Sequence, residues 1–322
     1  MCEFEPQQKL ALSRSASFRR FQGRIGSATY RLNTIFVGLE HIAAGKGKLP
    51  GGIAVTWKAP ENNEVAKQVA DQARHFACLA ATALAFDVID QYLDDISRER
   101  WIVLSENTRQ IATKAVTRPS NQGGAYGLHE RALAIANELD INEPLHIALL
   151  ELLAKWRNSS VHGSARDSKI SSESTNALQD ETAIFEAYSH LDIKLALKNL
   201  EAKRTPAPKE ITSLIASAQN LLRKIDEAAI KQAFPTERAV EQYCLRIFRS
   251  ALVTDDQALT SKLNEYFTRP VDWREKFLLK TLAPQGVTST KTPISPTVSE
   301  GFFYRLALLD PLPLLAALVE TS

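Results

Sequence analysis

Residues 144–163 read PLHIALLELLAKWRNSSVHG, and their spacing sets the fold class. Leu145, Leu149, Leu152 and Trp156 recur at three- and four-residue steps, which places them on one stripe of an α-helix. Pro144 suits the first turn, where its missing N–H has no helical partner to lose, and Asn142 is positioned to cap that turn. The helix is expected to stop at the polar run after Trp156, with Arg157 on its last turn and His162 beyond the break.

The same period extends in both directions. Phe21, Ile25, Ala28, Leu32, Ile35, Phe36 and Leu39 mark a helix over 14–44, closed by the Gly- and Lys-rich run 45–52. Residues 53–57 alternate like a short strand. Val65, Val69, Phe76, Leu79, Ala83 and Phe86 predict a second long helix over 64–98, with a shorter one over 99–116 and a loop at 118–124. The Ser-rich stretch 163–176 reads as an exposed loop, and Ile184, Tyr188, Leu191 and Leu195 predict one helix over 177–204. Thr205-Pro206-Ala207-Pro208 is the candidate linker, because two prolines prevent helix continuation. Further helices are expected at 209–232, 237–253, 256–267 and 273–282, the last with Asp272 and Glu275 at capping-box spacing. The chain is therefore expected to be all-α. Its three parts are a basic N-terminal helix with a loop and short strand (1–63), a helical bundle (64–204) and a C-terminal helical region (205–322).

Composition excludes several classes. With 44% hydrophobic and 24% charged residues over 322 positions, the chain belongs with folded proteins, not with disordered or collagen-like ones. A net charge of +2 is too small to mark a nucleic-acid binder by itself, but the positive excess is concentrated in residues 1–60. Cys2, Cys78 and Cys244 are widely spaced and odd in number, which suits a reducing compartment, so a cytoplasmic location is expected. The apolar run 302–319 is interrupted by Arg305, Asp310, Pro311 and Pro313, so it reads as a docking tail with no membrane role.

The residues that carry chemistry are Arg157, Asn158 and His162. RNA can be cut without a metal or cofactor when its own 2′-hydroxyl attacks the adjacent phosphate. One group must take the hydroxyl proton, another must protonate the leaving oxygen, and a cation must steady the charged intermediate. Histidine transfers protons near neutral pH, and arginine matches phosphate oxygens in charge and shape. In this reading His162 transfers protons, Arg157 binds the scissile phosphate and Asn158 orients one of them. One imidazole cannot easily be acid and base in the same step, so a homodimer would bring a second His162 to the site. By composition, the string Arg-Asn, three residues, His is expected by chance only about 0.015 times in this chain.

These residues resemble the signature of the higher eukaryotes and prokaryotes nucleotide-binding (HEPN) ribonucleases. That signature is an Arg, a polar residue that is often Asn, three to five further residues, then His, at a helix end in an all-α bundle. Arg157, Asn158 and His162 match it, Gly163 directly after the His is also typical, and the resemblance spans about 64–204. It implies a HEPN-like bundle acting as a dimeric, metal-independent endoribonuclease, commonly a toxin or anti-phage abortive-infection effector. The C-terminal region then has three open roles: sensing a trigger, holding a regulatory partner protein or antitoxin, or extending the dimer. Some members are inactive, so the alternative is a dimerisation or adaptor module that binds a partner protein or nucleotide.

Other features have competing readings. Arg20, Arg24 and Arg31 fall within about 40° on a helical wheel, and form either an RNA-tracking stripe or a solvated face with ion pairs. Asp87, Asp90 and Asp94 have the spacing of a Mg²⁺-binding helix face but lack a second acidic helix, which favours a solvated helix end. The 45–52 loop is not a Walker A sequence, since no Lys in it precedes Ser or Thr. The bland reading of the motif itself is a dipole-satisfying Arg157 and a capping His162.

Overall fold

Apolar residues at helical period dominate the chain, and the computed structural model of the protein is all-α, as expected. It describes residues 10–47, 56, 58–113, 125–162, 169–188, 190–252, 259–298, 301–302, 306–307 and 318; the side chains of 160–162 are not among them. The expected 53–57 strand falls almost wholly outside these residues. Two compact units emerge, one from residues 20–98 and 104–223, the other from 1–19, 99–103 and 224–322. Both are assembled from separated chain segments, and the prolines at 206 and 208 lie within the first.

In the first unit, α1 (Ala16–Ala43) and α2 (Asn63–Arg98) run antiparallel from Arg20 onward. Arg20 pairs with Asp95 at 3.1 Å, the rings of Phe21 and Tyr92 lie 5.5 Å apart, and Arg74 reaches Glu40 at 2.6 Å. By length and apolarity α2 passes as a membrane span, and half of the 18-residue apolar window within it is buried inside the protein, as in the core helix of a bundle. The expected helix over 99–116 is only α3 (Glu106–Ala112) in the described residues, because Ser105 caps it by accepting from the Thr108 N–H.

Helix α4 (Leu128–Glu138) was not expected from the sequence. Its buried face is Leu128, Ala132, Ile135 and Ala136 at helical spacing, with Arg131 buried beside them, an apolar period that the sequence reading passed over. Arg131 forms a buried ion pair with Asp90 and donates to the Ala112 carbonyl at 2.7 Å. Glu138 accepts from the Ser105 N–H and from the hydroxyls of Ser105 and Thr108, which joins the start of α3 to the end of α4. Those hydrogen bonds hold its carboxyl below the usual range.

Helix α5 (Pro144–His162) is the axis of this unit, packing against α2 and α4. Leu149, Leu152 and Trp156 are fully buried, and the indole N–H of Trp156 donates to the Arg204 carbonyl at 3.2 Å. The expected 163–176 loop and single 177–204 helix are both corrected. Residues 163–168 lie outside the described set, and the remainder forms α6 (Ser172–Ala177), α7 (Glu181–Ala187) and α8 (Ile193–Glu201). Ser171, Asp180 and Asp192 cap α6, α7 and α8 in turn, so polar side chains divide what the apolar spacing presents as one helix. α5 also packs on α6 and α8.

Helix α9 (Pro208–Ala233) enters the second unit at Lys224. That unit adds α10 (Glu237–Leu252), α11 (Leu259–Phe267) and α12 (Val271–Leu282). α12 starts ahead of Asp272: Pro270 holds the cap position and Asp272 sits inside the first turn. An unexpected ladder pairs β1 (Leu10–Leu12) antiparallel with β2 (Val287–Ser289). Phe302, Leu306 and Leu318, from the expected docking tail, are buried in this unit's core.

Candidate functional site

The polar run at the end of α5 was expected to break the helix, but helical backbone continues through His162. Ser159, Ser160 and Val161 contain no breaker, and the Ser159 hydroxyl folds back onto the Trp156 carbonyl at 2.9 Å. The geometry of the motif changes as a result. At about 100° per residue, positions 157 and 162 stand about 140° apart around the axis. Position 162 instead continues the line of Glu151, Lys155 and Asn158, spaced by four, three and four.

That line borders a cavity of about 530 Å³, lined among the described residues by Phe86, Asp90, Ala125–Arg131, Glu151, Ala154, Lys155 and Asn158. Arg157 stands beside it, half-buried, with its guanidinium 4.7 Å from the centre of the Phe86 ring. Its Nη1 donates to Asn158 Oδ1 at 3.3 Å, so a cation and an amide are joined at the rim. The side chain of His162 lies outside the described residues.

The opposite wall is the start of α4, where Gly127 N–H donates to Glu130 Oε2 at 2.6 Å. His129 lies on the first turn, its side chain about one-fifth exposed, with Nε2 3.9 Å from Glu151 Oε1. Glu151 is buried and held by Ser171, whose N–H donates to Oε1 at 3.0 Å and whose hydroxyl donates to Oε2 at 2.7 Å. Burial acts to raise its carboxyl pKa, but the hydroxyls of Ser174 and Ser171 and the charge of His129 outweigh it and leave the pKa lowered. A carboxylate thus persists inside the bundle beside an imidazole.

The remaining candidates lie elsewhere. Arg20, Arg24 and Arg31 are exposed on α1, Arg20 is paired with Asp95, and none is among the described cavity residues. In the acidic series, Asp90 is buried against Arg131 and Asp94 pairs with Arg98 at 3.0 Å, so the solvated helix-end reading fails for Asp90. No group of three or more His, Cys, Asp or Glu able to hold a metal occurs among the described residues. Cys78 and Cys244 are free and buried, and burial pushes their thiols up to about 11 and about 12. Sequence reasoning missed His129, Glu151 and Lys155. The spacing of Glu151, Lys155 and Asn158 was legible as a second stripe on α5, whereas nothing in the sequence tied His129 to it. No protein-family model, no curated protein and no solved structure matches this chain.

Proposed function

We propose that the chain is a metal-independent endoribonuclease of HEPN type that works as a homodimer in the cytoplasm, as a toxin or abortive-infection effector. The observation that supports this reading is the joining of Arg157 to Asn158 at the rim of a cavity whose α5 stripe leads to position 162. Arg157 binds the scissile phosphate and stabilises the charge that develops on it. Asn158 holds the guanidinium, and His162 transfers a proton about one turn further along the helix. The product is a 2′,3′-cyclic phosphate on one fragment and a 5′-hydroxyl on the other. The test is to analyse the ends of RNA cleaved by purified wild-type protein in chelator. Cyclic phosphate supports the reading, and 5′-phosphate ends with chelator sensitivity contradict it.

A further inference from the structure

RNA that is to be cut must also be held, and the side of α1 turned away from the core has the chemistry to hold it. Phe21, Ile25, Leu32 and Leu39 bury one side of this helix. The helix is otherwise basic. It carries Arg19, Arg20, Arg24 and Arg31 and no Asp or Glu before Glu40, which Arg74 engages at 2.6 Å. We propose that the exposed face of α1 binds single-stranded RNA, with Arg24 and Arg31 holding phosphates and the Tyr30 ring stacking on a base; the choice of RNA rests on the ribonuclease reading.

Arg24 and Arg31 are exposed and form no ion pair among the described residues, whereas Arg20 is neutralised by Asp95 at 3.1 Å. At about 100° per residue, positions 24 and 31 stand within about 20° of each other, about 10 Å apart along the axis, which suits two phosphates of one strand. Tyr30, next to Arg31, is 76% exposed, so most of a large aromatic ring stands in water. Every base offers a π face to such a ring while flanking cations track the backbone, which is how single strands are held without sequence preference. A duplex keeps its bases stacked inside, out of reach of Tyr30.

Gly23, Ser27, Thr34 and Gly38 share this face with Tyr30, all exposed and all within about 120° of Arg24 around the helix. Nothing packs within 4 Å of where a Cβ would stand at Gly23 or Gly38. Glycine weakens a helix interior, and packing among the described residues gives neither position a reason to lack a side chain. A flat face lets the sugar-phosphate chain approach the helix closely.

The test is binding, measured without cleavage. Wild type, Arg24→Ala, Arg31→Ala and Tyr30→Ala are titrated by fluorescence anisotropy across a salt series. The probe is an unstructured 2′-O-methyl RNA oligonucleotide, which cannot be cut by 2′-hydroxyl attack. Each arginine variant should bind more weakly and lower the slope of log affinity against log salt by about 0.7. Tyr30→Ala should weaken binding about 5- to 150-fold at unchanged slope, and Tyr30→Phe should restore it. Gly23→Gln, which adds a side chain to the face, should weaken binding with the melting temperature equal or higher. Circular dichroism reports the folding of each variant. Wild-type affinity and slope in Arg24→Ala, Arg31→Ala and Tyr30→Ala would overturn the proposal, as would tighter binding of duplex RNA or of a DNA oligonucleotide of the same sequence. If those variants bind and cut RNA as wild type does, the α1 surface falls and the ribonuclease reading stands. Binding that depends on Tyr30 and both arginines, in a protein that cuts no RNA, supports the surface and ends the ribonuclease reading.

Discussion

At the scale of single residues, the proposed function depends first on Arg157. Its guanidinium rests on Phe86 and donates to Asn158, at the edge of a cavity and not in the core. Arg157→Ala should therefore lower RNA cleavage by about 10²- to 10³-fold while changing the melting temperature little. Asp226 presents the opposite case, a buried carboxylate with a structural role. It accepts from the N–H of Ser15 at 2.9 Å and from the Ser15 hydroxyl, and burial raises its pKa from the usual 3.8 to about 6. The folded state therefore favours the neutral acid. This contribution is fully present below about pH 3.8 and is lost as pH rises through about 6. The loss is at most about 3 kcal/mol. Asp226→Asn should flatten the thermal stability profile over that window, and an unchanged profile would show that Asp226 does not control it.

At the scale of elements, the sequence was legible wherever apolar period and helix length agreed. α1 and α2 were expected at 14–44 and 64–98 and are observed at Ala16–Ala43 and Asn63–Arg98; on α1 the expected Phe21, Ile25 and Leu32 are buried, whereas on α2 the expected core residues Val65 and Phe76 are exposed and the buried face runs through smaller residues, Ala66, Ala70, Ala77 and Ala85. Legibility failed where polar residues define the structure. Ser171, Asp180 and Asp192 interrupt an apolar period that reads straight through them, and α4 is organised around the Arg131–Asp90 pair, which no spacing reveals. In the motif the error ran the other way, since polarity suggested a break where the helix persists to His162. Both groups of residues can be weighed by mutation. Asp90→Ala leaves the Arg131 charge buried without its carboxylate and should cost about 3–5 kcal/mol in denaturant unfolding. Ser171→Ala, which removes a cap and one hydrogen bond to Glu151, should cost about 1 kcal/mol. A larger effect for Ser171→Ala than for Asp90→Ala would reverse the weights assigned to them.

At the scale of the whole molecule, an all-α scaffold carries a site whose proposed chemistry calls for two imidazoles and one guanidinium. A homodimer should appear in light scattering as twice the 35.7 kDa chain mass. A chain that stays monomeric while cutting RNA would remove the dimer from the mechanism. The central claim is that Arg157 and His162 make this a metal-independent ribonuclease, and one measurement tests it most directly. Purified wild type, Arg157→Ala and His162→Ala are incubated with RNA in the presence of chelator, and the fragments are quantified. The expected result is cleavage by wild type that chelator does not reduce, and loss of at least about 10²-fold in each variant. Equal behaviour of all three proteins, or wild-type cleavage that chelator abolishes, would contradict it.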